Sequence, residues 1–278
     1  WRAIELSKKI GSRDTVYLRN ALVNSLSLGE LALVEEALTG LEQMIRGTSN
    51  SVQYEQLYNR IRDRLMAIRG QWLDALQILR NMRQVVSERE DLQDVFIYSF
   101  SIAEILIELN RLDELGDLSE AEASLKTCIE IADRGLKSKV EPRCLLCSVS
   151  ARQGRFKDAR QLLAEVLEMA GPEPTIWDEV RIKSAQAELA YLEKRWEDSI
   201  NAFEATASIL AKMEARPRWA RTLMLWADVH IARAETGDKE QAEDLLRQAL
   251  EAYQDMEIPY WVNLVEEKLE ALGAEVGE

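Results

Sequence analysis

The side chains able to do chemistry are few and scattered. His230 is the sole histidine of the 278-residue chain. Helical spacing sets it beside Trp226 and Val229 on an apolar face, which predicts a packed or hydrogen-bonded core histidine. A metal there would need further ligands, and the sequence groups none near it. Cys144 and Cys147 stand three apart, and Cys128 takes a large-residue position of the preceding helix. One such thiol pair without a second is a weak zinc signature, so all three read as core. No phosphate-cradling glycine loop and no serine–histidine arrangement occurs. Acidic doublets such as Glu35 and Glu36 read as solvated helix faces. With acid, base and nucleophile ungrouped, the expectation is a protein that is no enzyme and holds neither metal nor cofactor.

The elements that must position any site announce themselves by repetition. Six times a turn residue is followed two places on by a mostly apolar residue, five places on by a smaller one, and nine places on by a large apolar one. The turn residues are Gly29, Gly70, Gly116, Gly154, Lys194 and Gly237, at intervals of 41, 46, 38, 40 and 43 residues. The small residues are Val34, Ala75, Ala121, Ala159, Ser199 and Ala242; the large ones are Leu38, Leu79, Leu125, Leu163, Phe203 and Leu246. Each interval holds two helices of about four to five turns and two short loops. The small residue marks where two antiparallel helices cross and their backbones must approach. The glycine marks where the first helix ends at positive φ. Pro142, Pro172, Pro174, Pro217 and Pro259 all fall between one unit's second helix and the next unit's first, where a missing N–H costs least.

Composition narrows the classes. Apolar residues make up 47% and charged ones 30%, which implies a packed core under a solvated surface. A net charge of −14 argues against nucleic acid and against an anionic membrane surface as partners. The most apolar long stretch, Val95 to Leu109, carries Glu104 and Glu108 and reads as a buried helix, so no membrane span is expected. Three cysteines make no disulfide framework, which suits the cytoplasm. The chain opens on Trp1 without an initiator methionine, and the expectation is a piece of a longer protein.

The turn glycine, the apolar residue after it, the alanine and the following large apolar residue resemble the tetratricopeptide repeat family. Trp226, eleven places before Gly237, matches that family's early first-helix tryptophan. The likeness runs from about Asp14 to Gly273. Two departures stand out: every interval exceeds the family's 34 residues, and Lys194 and Lys239 replace a glycine and an apolar residue. The resemblance implies an all-α, right-handed superhelical solenoid of about six antiparallel helix pairs. It would form one domain over 1–278, with 1–11 the end of a truncated preceding repeat and 259–273 a C-terminal capping helix. Longer units resemble those of large bacterial signalling proteins, where such arrays follow a STAND or AAA-type nucleotide-switch domain or a nucleotide cyclase.

Repeats of this family bind extended peptides on an inner face lined by first helices. Counting three, six and ten residues back from each turn, with two back as a fourth choice, suggests a lining of Arg19, Arg60, Arg64, Ser148, Arg152, Ser184, Glu188 and Tyr191, to which Arg181, thirteen back from Lys194, is added. Arginines there would form a positive groove suited to carboxylates or phosphates; alternatively, they pair with glutamates of neighbouring repeats. An insertion around Asn110 to Leu115 disturbs the register of the third unit. Of the tryptophans, Trp72 and Trp196 read as core, whereas Trp1, Trp177, Trp219 and Trp261 lie nearer the loops as potential surface anchors. The functional expectation is a non-catalytic protein or peptide-interaction module, the sensor or scaffold segment of a larger bacterial signalling protein. The alternative is a stand-alone receptor for a short signalling peptide.

Overall fold

The computed structural model describes residues 15–47, 51–112, 116–135 and 137–273. The expected remnant at 1–11 and positions 113–115 of the suspected insertion lie outside them. The described chain folds as thirteen helices: α1 Thr15–Leu28, α2 Leu31–Gly47, α3 Ser51–Ile68, α4 Trp72–Glu88, α5 Leu92–Arg111, α6 Leu118–Asp133, α7 Val140–Arg152, α8 Phe156–Ala170, α9 Ile176–Leu192, α10 Trp196–Lys212, α11 Arg216–Arg233, α12 Asp238–Asp255 and α13 Pro259–Ala271. Consecutive helices pack in pairs, and first helices also touch across units: α1 on α3, α5 on α7, α7 on α9. This is a tetratricopeptide-like helical-repeat solenoid.

The crossing residue of every pair is sealed. Val34, Ala75, Ala121, Ala159, Ser199 and Ala242 are all 0% exposed. Ser199 meets the same requirement with a hydroxyl, which is satisfied by donating to the Ala187 carbonyl at 2.9 Å. Pro142, Pro217 and Pro259 fall in the first turns of α7, α11 and α13, and Pro172 and Pro174 fall in the loop before α9. Lys194 adopts φ +59°, so the turn imposes a left-handed residue even where glycine is absent. Gly116 differs from the other turn glycines, because its φ is not left-handed. A Cβ there would sit 2.4 Å from the Leu106 carbonyl oxygen, so it is glycine for close approach to α5.

The array closes on itself. Helix α11 touches α1, and a Cβ on Gly29 would fall 2.5 Å from Met256 Sδ. Gly70 lies so close under Tyr260 that a Cβ would be 2.4 Å from its ring. Trp261 is buried and donates from Nε1 to the Ile68 carbonyl at 2.8 Å. Its ring stands 5.5 Å from Trp72 and 5.4 Å from Tyr253. Trp261 is therefore no surface anchor: the last helix brings it into the core shared with the second pair. Trp72 is core as expected; Trp196 is half-buried, 6.0 Å from the Tyr191 ring.

Candidate ligand cavity

The inner face holds a cavity of about 390 Å³ walled by α5, α7, α9 and α11, with Phe203 and Leu210 of α10. The walls carry polar side chains at helical spacing: Glu104, Glu108 and Arg111 on α5, Arg181, Ser184 and Glu188 on α9. Six of the nine candidates from the sequence converge here, namely Ser148, Arg152, Arg181, Ser184, Glu188 and Tyr191.

A chain of alternating charges crosses the cavity. Glu188 accepts from Arg111 (Nη2 2.7 Å, Nε 3.2 Å) and from Arg152 Nε at 2.5 Å. Arg111 also donates to Glu108 at 2.8 Å, and Glu108 accepts in turn from Arg221. Burial alone would raise the Glu188 carboxyl, but Arg111 and Arg152 outweigh it and hold that group far below the ordinary carboxylate range. Glu108 behaves likewise: burial pushes up, and Arg221 and Arg111 bring it below its usual value. Nearer the mouth, Arg181 donates to Glu104 at 2.6 Å, with its guanidinium 5.4 Å above the Phe100 ring. Arg218 shares the same Glu104 oxygen at 3.8 Å and lies 5.3 Å over Trp177. So the arginines do pair with glutamates of other repeats, and they do so around one partly open cavity.

The remaining three candidates lie elsewhere. Arg19 lies outside the cavity and donates to its neighbour Asn20 at 3.4 Å. Arg64 is exposed, though its charge acts on Glu104 and Arg218. Arg60 bonds Asp94. Close to that pair is Asp63, 3% exposed, neither of whose oxygens has a hydrogen-bond partner among the described residues. Burial pushes the Asp63 carboxyl up to about 7, against an opposing pull from Arg62.

The charged cavity residues that sequence counting missed are Glu104, Glu108, Arg111, Arg218, Arg221 and Asp228. On α5 the count started from Gly116, whose φ is not left-handed, and it passed over Glu104, Glu108 and Arg111, which lie 12, 8 and 5 residues before it. On α11 the left-handed residue ending the helix is Ala234, φ +55°, three before Gly237. Six back from Ala234 is Asp228, which faces the cavity and is held by Lys268 at 2.6 Å. Arg221 stands thirteen back from Ala234, the same separation as Arg181 from Lys194 and a helical turn beyond ten back.

The other chemistry-bearing groups are structural. His230 Nδ1 is 2.7 Å from Asp238 Oδ1, and Asp238 also accepts from Arg233 and from the Glu235 N–H at 2.8 Å. The three clamp the turn between α11 and α12, and the hydrogen bond from Arg233 above all holds the Asp238 carboxyl below its usual range. Cys128, Cys144 and Cys147 are free and buried, and burial pushes each thiol up to about 12. Such thiols are poor nucleophiles. No helix among the described residues is long and apolar enough to cross a membrane.

No family model matches the sequence, and no curated protein matches it either. Among solved structures, similarity is found to Bacillus thuringiensis PlcR in complex with the peptide PapR7 and DNA. The TM-score is 0.57 at 12% identity, covering 78% of this chain and 76% of that one. The likeness supports the tetratricopeptide-like helical-repeat class. It also overturns the expectation that nucleic acid is excluded as a partner, since a protein sharing this fold is found with DNA. The physical reason is that a charge of −14 is a sum over the whole surface and constrains no particular patch.

Proposed function

We propose that the chain is a non-catalytic recognition module that takes a peptide or protein segment into the cavity between α5, α7, α9 and α11. The observation that carries this reading is the cavity itself, a partly open space of about 390 Å³ walled by paired, pre-positioned charges. Those charges are costly to bury and are held by one another, the condition for orienting a polar ligand without reorganisation. The peptide bound by PlcR supports the same reading. The test is a random-peptide display selection on the purified chain, followed by fluorescence anisotropy with the Ser184→Trp variant, which places an indole in the cavity. Peptides that bind the parent and are lost on the variant, at unchanged melting temperature, are the expected result. Peptides that bind both equally refute the cavity as their site.

We further propose that the module is the sensor segment of a longer bacterial signalling protein of the cytoplasm, to which the free thiols are suited. A ligand that favours one closure of the array over another would bias an attached switch domain. The coding sequence upstream of Trp1 decides this: a nucleotide-binding loop there supports the sensor segment. A stop codon there would leave the stand-alone peptide receptor.

A further inference from the structure

Five guanidinium groups line the cavity, those of Arg111, Arg152, Arg181, Arg218 and Arg221. Four carboxylates face them, but Asp228 is already neutralised by Lys268. Glu104, Glu108 and Glu188 are left to balance five positive charges, an excess of two. Just outside the lining, Arg64 acts on Glu104 and Arg218, and Glu141 lies 3.5 Å from Arg181 Nε; these two cancel. A surplus of two positive charges in a chain whose net charge is −14 is a local arrangement, not a bulk property.

Three details locate the surplus. Arg218 keeps 45% of its side chain exposed, so it stands at the mouth, and its nearest carboxylate oxygen, 3.8 Å away, is already taken at 2.6 Å by Arg181. On facing helices, the buried Arg221 Nη1 has no hydrogen-bond partner among the described residues, and Arg181 Nε makes no hydrogen bond there and has only the Glu141 carboxylate at 3.5 Å. Arg181 and then burial bring the Arg218 group down to about 10, with Glu104 and Glu141 opposing, so the fold works against that charge. Arginine forks match the oxygens of phosphate and carboxylate groups, and a phosphate monoester carries close to two negative charges at neutral pH.

We propose that the cavity binds a doubly charged phosphate monoester, whose oxygens take Arg218 at the mouth and the neighbouring guanidinium groups of Arg181 and Arg221. This rests on the cavity being the recognition site. The volume suits a phosphorylated small molecule or one phosphorylated side chain of a peptide, and the chemistry of the head group is the same in both. Two charges bring the site to neutrality; a single carboxylate would leave one guanidinium uncompensated.

The test is titration calorimetry on the purified chain at matched ionic strength. The probes are glycerol 3-phosphate, a phosphoserine pentapeptide, its unphosphorylated form and sodium chloride. Saturable one-to-one binding of either phosphorylated probe is expected, and the tighter of the two identifies the source. Binding should weaken on the order of tenfold or more in Arg218→Gln, the loss of one charge-assisted contact. The melting temperature of that variant should change little, since Arg218 is half-exposed and the Glu104 oxygen nearest to it is already taken by Arg181. Equal binding of phosphorylated and unphosphorylated peptides overturns the dianion while leaving the recognition module standing. No binding of either phosphorylated probe, or binding unaffected by Arg218→Gln, also overturns it.

Discussion

Asp63→Asn replaces a buried carboxyl that has no hydrogen-bond partner among the described residues. Asp63 is 3% exposed, both its oxygens lack a partner among the described residues, and burial lifts its carboxyl from 3.8 to about 7. Between those values the folded protein holds a proton that the unfolded chain has released. Folding then binds protons, so stability falls as pH rises, by 1.36 kcal/mol per pH unit for one group. From pH 5 to pH 8 the effect runs over the two units up to about 7, which gives about 3 kcal/mol. The shifted carboxylates of the cavity do not enter this window. They lie below their ordinary value of 4.5 and change stability only on the acid side. Urea unfolding at pH 5, 6, 7 and 8 should therefore show the parent losing about 3 kcal/mol relative to Asp63→Asn, with the variant the more stable at pH 8. Parallel pH profiles for the two proteins would refute the assignment of a buried, unpaired carboxyl.

Other substitutions separate the remaining forces. Gly154→Ala should cost about 1–2 kcal/mol, because φ is +76° and a Cβ would meet nothing within 4 Å. Gly70→Ala should cost more and loosen the closure, because the same strain comes with displacement of the Tyr260 ring; chemical denaturation and small-angle scattering would show both. Lys194→Gly should stabilise by up to about 1 kcal/mol, since it relieves φ +59° at an exposed turn, read as a rise in melting temperature. Glu188→Ala leaves Arg111 and Arg152 facing each other in the cavity and should destabilise by about 3–5 kcal/mol. It should also weaken acid denaturation: a depressed carboxyl contributes stability that is present above 4.5 and is lost as pH falls below that value.

The helix pairs were legible because their cause is local. Packing two helices demands a small residue at the crossing, and six were found by spacing alone, all fully buried. The prolines marked first turns and loops for an equally local reason. The cavity was legible only where the turn was placed correctly. Counting from Lys194 reached Ser184, Glu188 and Tyr191. Counting from Gly116 missed Glu104, Glu108 and Arg111, because that glycine answers to the Leu106 carbonyl and not to a left-handed φ. Closure itself was invisible to spacing. The bond from Trp261 to Ile68 joins residues 193 positions apart, and no period of about 40 residues encodes it. Trp261 looked like a loop tryptophan for the same reason.

An open array of helical pairs can gain or lose a unit, because each pair answers only to its neighbours, and its ends can fray while the middle holds. Here Gly29 fits under Met256, Gly70 fits under Tyr260, and α1 lies on α11. Inserting or deleting one pair would rotate those surfaces away from each other, so the number of units is fixed by the join and not free to drift. The terminal pairs also lose their independence: the first cannot melt without uncovering the last. The chain should therefore unfold in one concerted transition where an open stack of the same length would unzip from its ends.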